Sequence, residues 1–219
     1  MNGSQSLRCV GVLVVLGVSA AGAQARSPTT QVTFTSACAC PTCHGKHRWD
    51  VKTDRAAAPA SVPANHRLTP SQLRHWAGPG GDLGKNSPRT GKELEFFELT
   101  GEIRLVRAED DGDIHVQLAD QGKGAKAKTA SVEIPVGEPW CAIRAQLFAL
   151  TSTTFPLQFS KHANLPPTSG TVITVTGKAF YDVENDGGDP EANDRPGAKQ
   201  SRTTVWEIHP VMKLVVAGK

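Results

Sequence analysis

The order of strand-like segments in the second half of the chain is the feature that most constrains its fold. Segments rich in apolar and β-branched residues lie at 94–106, 113–118, 131–136, 171–182 and 203–216. Residues 140–150 differ from them, because Ile143, Leu147 and Leu150 recur at helical spacing. A helix between the third and fourth of five strands is the order of an OB barrel, whose closed sheet leaves no free edge. We therefore predict a mainly β chain with a five-stranded OB-like barrel over residues 93–219.

The segment before the barrel, residues 26–92, lacks sustained periodicity and is rich in alanine and proline. This composition predicts an irregular N-terminal arm and loop. Thr69 and Gln72 stand in capping-box positions around a proline, which predicts one short helix at 70–76. Residues 47–53 alternate polar and apolar side chains, so a short edge strand is expected there.

The first 25 residues have the pattern of a cleaved signal peptide. Arg8 precedes an apolar run at 10–18, and small residues follow as far as the A-x-A sequence at 23–25. The run is about half of the ~20 residues that a membrane-spanning helix needs. We expect residues 1–25 to be removed, a secreted or periplasmic mature protein, and no membrane span after cleavage.

The charge balance restricts the partners. The whole chain carries a formal net charge of +3, to which the predicted signal peptide contributes Arg8. A nucleic-acid-binding surface usually leaves a much stronger basic footprint. Nucleic acid is therefore not expected as a partner, and the sequence leaves open a small molecule, a polymer or a protein.

Four cysteines follow the predicted signal peptide: Cys38, Cys40, Cys43 and Cys141. An even number of cysteines in an oxidising compartment favours disulfides. The stretch Cys40-Pro-Thr-Cys43-His44 also has the C-x-x-C-H spacing of covalent haem attachment, although an alanine- and proline-rich arm follows it. The three N-terminal cysteines and His44 also offer four zinc ligands, but structural zinc sites normally pair two separated ligand pairs. We expect no cofactor and keep haem c and zinc at these residues as alternatives.

Five stretches resemble a family of secreted bacterial proteins for which no reaction is established. They are HRWDVKT from residue 47, EDDGDIHVQLAD from 109, SVEIPVGEPWC from 131, TVITVTGKAFYD from 171 and TVWEIHPVMKL from 204. The motifs are W-x-V-K-T, E-D-x-x-D-I-H and W-E-I-H-P-V, and the resemblance covers roughly residues 47–55 and 94–216. It implies an OB-like barrel.

The resemblance also implies a disulfide pairing. Members of that family tend to carry one cysteine after the E-I-P strand and another shortly before W-x-V-K-T. By this resemblance Cys141 pairs with Cys43, or with Cys40 as the alternative, and the bridge ties the arm to the barrel.

The expected function is a disulfide-stabilised binding or interaction module. The alternative is a hydrolase or nuclease-like enzyme that uses His115, Glu207 and His209. Glu207 and His209 alternate with apolar neighbours in one predicted strand, which places them on one face about 6–7 Å apart at Cα. Such a pair is suited to acid–base work, or it is a structural ion pair at a barrel end. A cleft that joins the three side chains would favour the enzyme.

Overall fold

A computed structural model describes residues 31–43, 45, 48–79, 83–84, 86–124, 127–182 and 205–217. The predicted signal peptide at 1–25 and His44 lie outside these residues, so cleavage and export stay predictions. Within the described ranges, no helix has the length and apolar character that crossing a membrane requires.

The described residues form nine strands and three short α-helices. The strands are β1 (Val32–Phe34), β2 (Arg67–Leu68), β3 (Phe96–Glu109), β4 (Ile114–Ala119), β5 (Thr129–Ile134), β6 (Leu157–Phe159), β7 (His162–Asn164), β8 (Val172–Tyr181) and β9 (Trp206–Val216). The α-helices are α1 (Trp49–Lys52), α2 (Pro70–Arg74) and α3 (Cys141–Phe148), and short 3-10 turns occupy Ala64–His66, Gly91–Leu94 and Glu138–Trp140. The chain is mainly β, as its sequence predicts.

Five of the strands close a barrel. They follow one another in the spatial order β3, β4, β5, β9 and β8, and β8 pairs back onto β3. The pairs are antiparallel, except that β5 and β9 run parallel. Since α3 lies between the third and fourth barrel strands in chain order, this is the predicted OB-like barrel. Outside it, β2 and β7 pair with β3, and β1 pairs with β6.

Strict alternation sorts the side chains of these strands between the barrel interior and its outer surface. Ile114, Val116 and Leu118 of β4 are fully buried, and Val132 of β5 lies opposite Ile208 of β9. Burial of each such aliphatic side chain stabilises the fold by about 1.5–3 kcal/mol. Because a strand has a period of two, these interior positions force the residues between them onto the outer surface.

The predicted arm helix is confirmed. In α2 the Thr69 hydroxyl accepts the backbone N–H of Gln72, and the Gln72 side-chain oxygen accepts the backbone N–H of Thr69. The helix ends at Arg74, two residues earlier than predicted, and its Leu73 is fully buried.

The edge strand expected at 47–53 is wrong, because Trp49–Lys52 form helix α1. Arg48 precedes the helix in a left-handed backbone conformation (φ 51°). Its buried guanidinium donates to both oxygens of Glu93, at 2.7 and 2.8 Å, and to three backbone carbonyls. All five N–H donors of the Arg48 guanidinium are therefore used. These hydrogen bonds hold Arg48 in place, and its left-handed backbone conformation ends any extended strand at this position.

Two disulfides hold the N-terminal arm. Cys38 bonds to Cys141 across a sequence separation of 103, and Cys40 bonds to Cys43 across a separation of 3. The expected pairing of Cys141 with Cys43 or Cys40 is therefore wrong. Cys43 instead lies against the turn at Gly112, whereas the Cα of Cys38 lies 4.7 Å from that of Cys141 at the start of α3.

The long bridge still ties the arm to the barrel. From loop length alone it contributes about 4.7 kcal/mol, whereas the short one contributes roughly 2 kcal/mol. In the bonded state these sulfurs are not available to zinc or to haem. The two cofactor alternatives would require open disulfides and stay untested.

Candidate functional site

A cluster of histidine and carboxylate side chains covers the outer surface of three adjacent barrel strands. His115 projects from β4, Glu133 from β5, and Glu207 and His209 from β9, each at an outward position of its strand. Asp113 joins them from the turn before β4. We call these five residues the histidine–carboxylate cluster. In chain order it lies on the second, third and fifth barrel strands and on the turn before the second. OB folds commonly bind their ligands on the face of the second and third strands.

A glycine turn brings Asp113 into the cluster. Gly112 has φ +102° and donates its N–H to the carbonyl of Glu109, while Asp113 N–H donates to the Asp111 carboxylate. A Cβ on Gly112 would lie 2.7 Å from Val136, so both the conformation and the close approach require glycine. The turn therefore holds Asp113 facing β9.

Hydrogen bonds fix the orientation of both imidazoles. His115 Nδ1 lies 2.7 Å from Glu133 Oε1. His209 Nδ1 lies 3.0 Å from Glu207 Oε1 and 3.3 Å from Glu133 Oε2. A carboxylate accepts hydrogen bonds, so in each imidazole we place the proton on Nδ1. In neutral His209, Nε2 is then an unprotonated acceptor.

This acceptor faces another one. His209 Nε2 lies 3.4 Å from Asp113 Oδ2, and both side chains are fully buried. Among the residues that the structure describes, neither His209 Nε2 nor either oxygen of Asp113 has a hydrogen-bond partner. Buried polar atoms are nearly always paired, so each unpaired one in a native structure needs an explanation.

Burial displaces the pKa values of these groups in opposite directions. Burial, and then the neighbouring carboxylates, raise the pKa of Asp113 and of Glu207 well above the usual range. Burial also lowers the pKa of His209 well below that of a free imidazole. For Glu133, burial is outweighed by the hydrogen bond from His115 and by nearby positive charge, and its pKa is lowered. The cluster therefore resists holding all its carboxylates ionised at once.

A lysine supplies positive charge to the cluster. Lys52 of α1 is 5 % exposed, and its ammonium lies 5.5 Å from the centre of the Phe180 ring. Burial alone would lower the pKa of Lys52, but Glu133, Glu207 and nearby aspartates hold it above the usual value. One ammonium cannot balance the three carboxylates of the cluster.

Three cluster residues have the geometry of metal ligands. Asp113, Glu133 and His209 each offer one donor atom, and these atoms lie within 4.8 Å of one another. Donors that share one ion at about 2.0–2.2 Å lie no more than about 4.4 Å apart, so a shift of a few tenths of an ångström closes the set. In known sites a metal-binding histidine commonly donates its other N–H to a carboxylate, as His209 does to Glu207.

The structure brings together all three residues that the sequence singles out, His115, Glu207 and His209. Sequence reasoning missed Glu133 and Asp113. The signals were present, since Glu133 alternates with the apolar residues of its strand and Asp113 follows an Asp-Gly turn. Glu133 is partly exposed, and the other four residues of the cluster are buried. A cavity of about 540 Å³ lined by Leu150 and Val216, among others, shares no residue with the cluster.

Comparison of the chain with protein-family models, curated proteins and solved structures finds no match. The resemblance to secreted bacterial proteins therefore stays a prediction, and function has to be argued from the cluster.

Proposed function

We propose that the protein is an exported binding module whose ligand is a divalent metal ion, held by Asp113, Glu133 and His209. The facing pair carries this proposal. His209 Nε2 and Asp113 Oδ2 are two buried acceptors 3.4 Å apart, and no donor from the described residues lies between them. A cation at this position would accept both lone pairs and remove the penalty of leaving them unsatisfied.

Charge balance supports the same ligand. The cluster gathers three carboxylates around two imidazoles, with one nearby ammonium from Lys52. Buried carboxylates must be protonated, paired or bound to a metal. The Arg144 guanidinium also acts on Asp113. A divalent cation offsets the negative charge that Lys52 and Arg144 leave uncompensated when all three carboxylates are ionised.

The remaining cluster residues support the ligands. Glu207 accepts the Nδ1–H of His209 at 3.0 Å and so fixes the ring with Nε2 toward Asp113. His115 donates to Glu133 Oε1 at 2.7 Å and holds this carboxylate beside His209. Partners of this kind fix the tautomer and the direction of a ligand, and their loss typically weakens metal affinity 10–100-fold.

The donor types narrow the choice of ion. Two carboxylates and one imidazole are suited to Zn²⁺ or Mn²⁺. Calcium and magnesium prefer oxygen ligands alone, and copper(I) prefers sulfur. We therefore expect zinc or manganese to bind more tightly than calcium.

The hydrolase alternative has one observation in its favour. The pKa values of Glu207 and His209 are displaced in opposite directions, as in acid–base pairs of active sites. Against it, Glu207 is 1 % exposed and His209 is fully buried, so a substrate would have to displace the residues that cover them. Binding needs only the entry of an ion.

Isothermal titration of chelator-treated protein with Zn²⁺, Mn²⁺ and Ca²⁺ tests the proposal. We expect one zinc or manganese site per chain, its loss in His209→Gln, and 10–100-fold weaker binding in His115→Gln. His75→Gln is the matched control, since His75 is exposed and lies on the arm. Equal binding by the His75 and His209 variants would reject the site. No uptake by the wild type would mean that a proton lies between Asp113 and His209.

A further inference from the structure

The Cys40-Pro-Thr-Cys43 motif is not used by the proposed metal site. Its disulfide closes the shortest loop that two cysteines of this chain form, next to the long Cys38–Cys141 bridge. Both bridges therefore involve cysteines of one segment, residues 31–43, but they constrain very different lengths of chain. In an unfolded chain a short loop is closed far more readily than a long one, so the short bridge adds less to stability.

The segment is anchored without the short bridge. β1 pairs with β6 and buries Phe34 completely. Arg144 of α3 donates from Nε to the carbonyl of Ala37 at 2.5 Å, and Cys38 is bonded to the first residue of the same helix. When the Cys40–Cys43 bond opens, these contacts still hold the backbone of the segment in place. The two sulfurs therefore stay close together.

The surroundings of the sulfurs suit exchange. Cys40 and Cys43 are partly exposed, and Pro41 between them is exposed. The Thr42 hydroxyl oxygen accepts the N–H of Thr33 at 2.9 Å and lies 3.8 Å from Cys40 Sγ. Its own proton can point at that sulfur, which stabilises a thiolate at Cys40. A stabilised leaving thiolate speeds thiol–disulfide exchange.

We propose that the Cys40–Cys43 disulfide is a thiol–disulfide exchange site whose partner is a dithiol reductant. A thiolate of the reductant attacks Cys43 Sγ, the Cys40–Cys43 bond breaks, and Cys40 leaves as a thiolate that takes up a proton. The second thiol of the reductant then attacks the mixed disulfide and frees Cys43 as a thiol. Two electrons and two protons pass to this chain, and the reductant closes its own disulfide.

The test is a dithiothreitol titration of the native, oxidised protein without denaturant, followed by thiol alkylation and peptide mapping. We expect Cys40 and Cys43 to be alkylated at a reductant concentration at least tenfold below the one that opens Cys38–Cys141. Opening of both bridges together, opening of Cys38–Cys141 first, or alkylation of Cys40 and Cys43 only after unfolding would each overturn the proposal. The readout does not depend on metal binding.

Two variants sharpen the result. The double variant Cys40→Ser, Cys43→Ser should show no alkylated thiol at the dithiothreitol concentrations that open the Cys40–Cys43 bond of the wild type. Because Thr42→Val removes the hydroxyl near Cys40, it should slow reduction of the Cys40–Cys43 disulfide several-fold. This disulfide should still be reduced before Cys38–Cys141. An unchanged rate in Thr42→Val would contradict the assigned leaving group. If the double variant does not fold, the wild-type order of opening still decides the proposal.

Discussion

Replacement of Asp113 by asparagine should have opposite effects with and without metal. Both oxygens of Asp113 are buried and find no partner in the described part of the chain, and a buried unsatisfied group costs about 1–3 kcal/mol. Asparagine has nearly the same shape, and its amide can donate to His209 Nε2, which lies 3.4 Å from the present oxygen. Metal-free Asp113→Asn should therefore be more stable than metal-free wild type by about 1–3 kcal/mol. The gain falls at the lower end if Asp113 is already protonated, as its raised pKa favours.

Metal binding should reverse this order of stability, so that the wild type becomes more stable than Asp113→Asn. A ligand that binds only the folded protein stabilises it by about 4.1 kcal/mol at 1,000 times its dissociation constant. The wild type should gain this increment in zinc, whereas Asp113→Asn, which has lost a ligand, should gain little. Urea unfolding at pH 7, with chelator and then with zinc, measures both differences, and the slope should not change. Asp50→Asn, on the exposed side of α1, is the matched control and should change stability by less than about 1 kcal/mol.

The two outcomes are separable. A metal-free Asp113→Asn that is less stable than wild type would show that the carboxylate is already satisfied in the folded protein. An equal zinc increment in both proteins would show that Asp113 is not a ligand. Either result would refute the reasoning from the unpaired acceptors.

Three further predictions concern the frame that positions the cluster. Glu93→Gln should lower the free energy of unfolding, measured in urea, by about 3–5 kcal/mol, because the buried Arg48 then lacks its charge partner. A loss below 1 kcal/mol would contradict this prediction. Gly177→Ala should lower the free energy of unfolding by about 2 kcal/mol or more, since the new Cβ would lie 2.2 Å from a carbonyl oxygen of β9. The control Gly124→Ala, whose Cβ would have no atom within 4 Å, should leave stability nearly unchanged. Equal thermal stability of the two variants would argue against the close approach at Gly177. Although burial opposes it, the hydrogen bond from Lys178 at 2.6 Å lowers the pKa of Asp54. Asp54→Asn should therefore lower the free energy of unfolding by about 1–2 kcal/mol at pH 7. The difference in stability between the variant and the wild type should disappear as the pH falls through the lowered pKa of Asp54, below 3.8. A difference that persists at low pH would show that the charge of Asp54 is not its cause.

The barrel could be predicted because its signals are local. Alternation of apolar residues with a period of two marks the five strands, and the change to helical spacing at 140–150 marks α3. The capping box at Thr69 and Gln72 similarly encodes the start of α2 within four residues. No long-range contact was needed for these predictions.

The rest of the arm could not be predicted in this way, because its structure depends on distant partners. The alternation at 47–53 favours a strand, but Arg48 is held by Glu93, which lies 45 residues later in the chain. The cysteine pairing depends on where α3 places Cys141 relative to two turns of the arm. Sequence spacing contains no information on that distance.

The site was predictable in part. His115, Glu207 and His209 share an outward face in any alternating strand, so the sequence identifies them as candidates. That Glu133 joins them follows only from the pairing of β4 with β5 and the parallel pairing of β5 with β9, and Asp113 joins them through the turn at Gly112. A parallel pairing of strands that lie about 75 residues apart cannot be read from local patterns.

The most direct test of the metal centre is a crystal of the protein prepared with one equivalent of zinc, with diffraction measured on both sides of the zinc absorption edge. We expect one anomalous peak about 2.0–2.2 Å from His209 Nε2 and from a carboxylate oxygen of each of Asp113 and Glu133. A map with no peak there, and with Asp113 and His209 drawn together into an ordinary hydrogen bond, would contradict it.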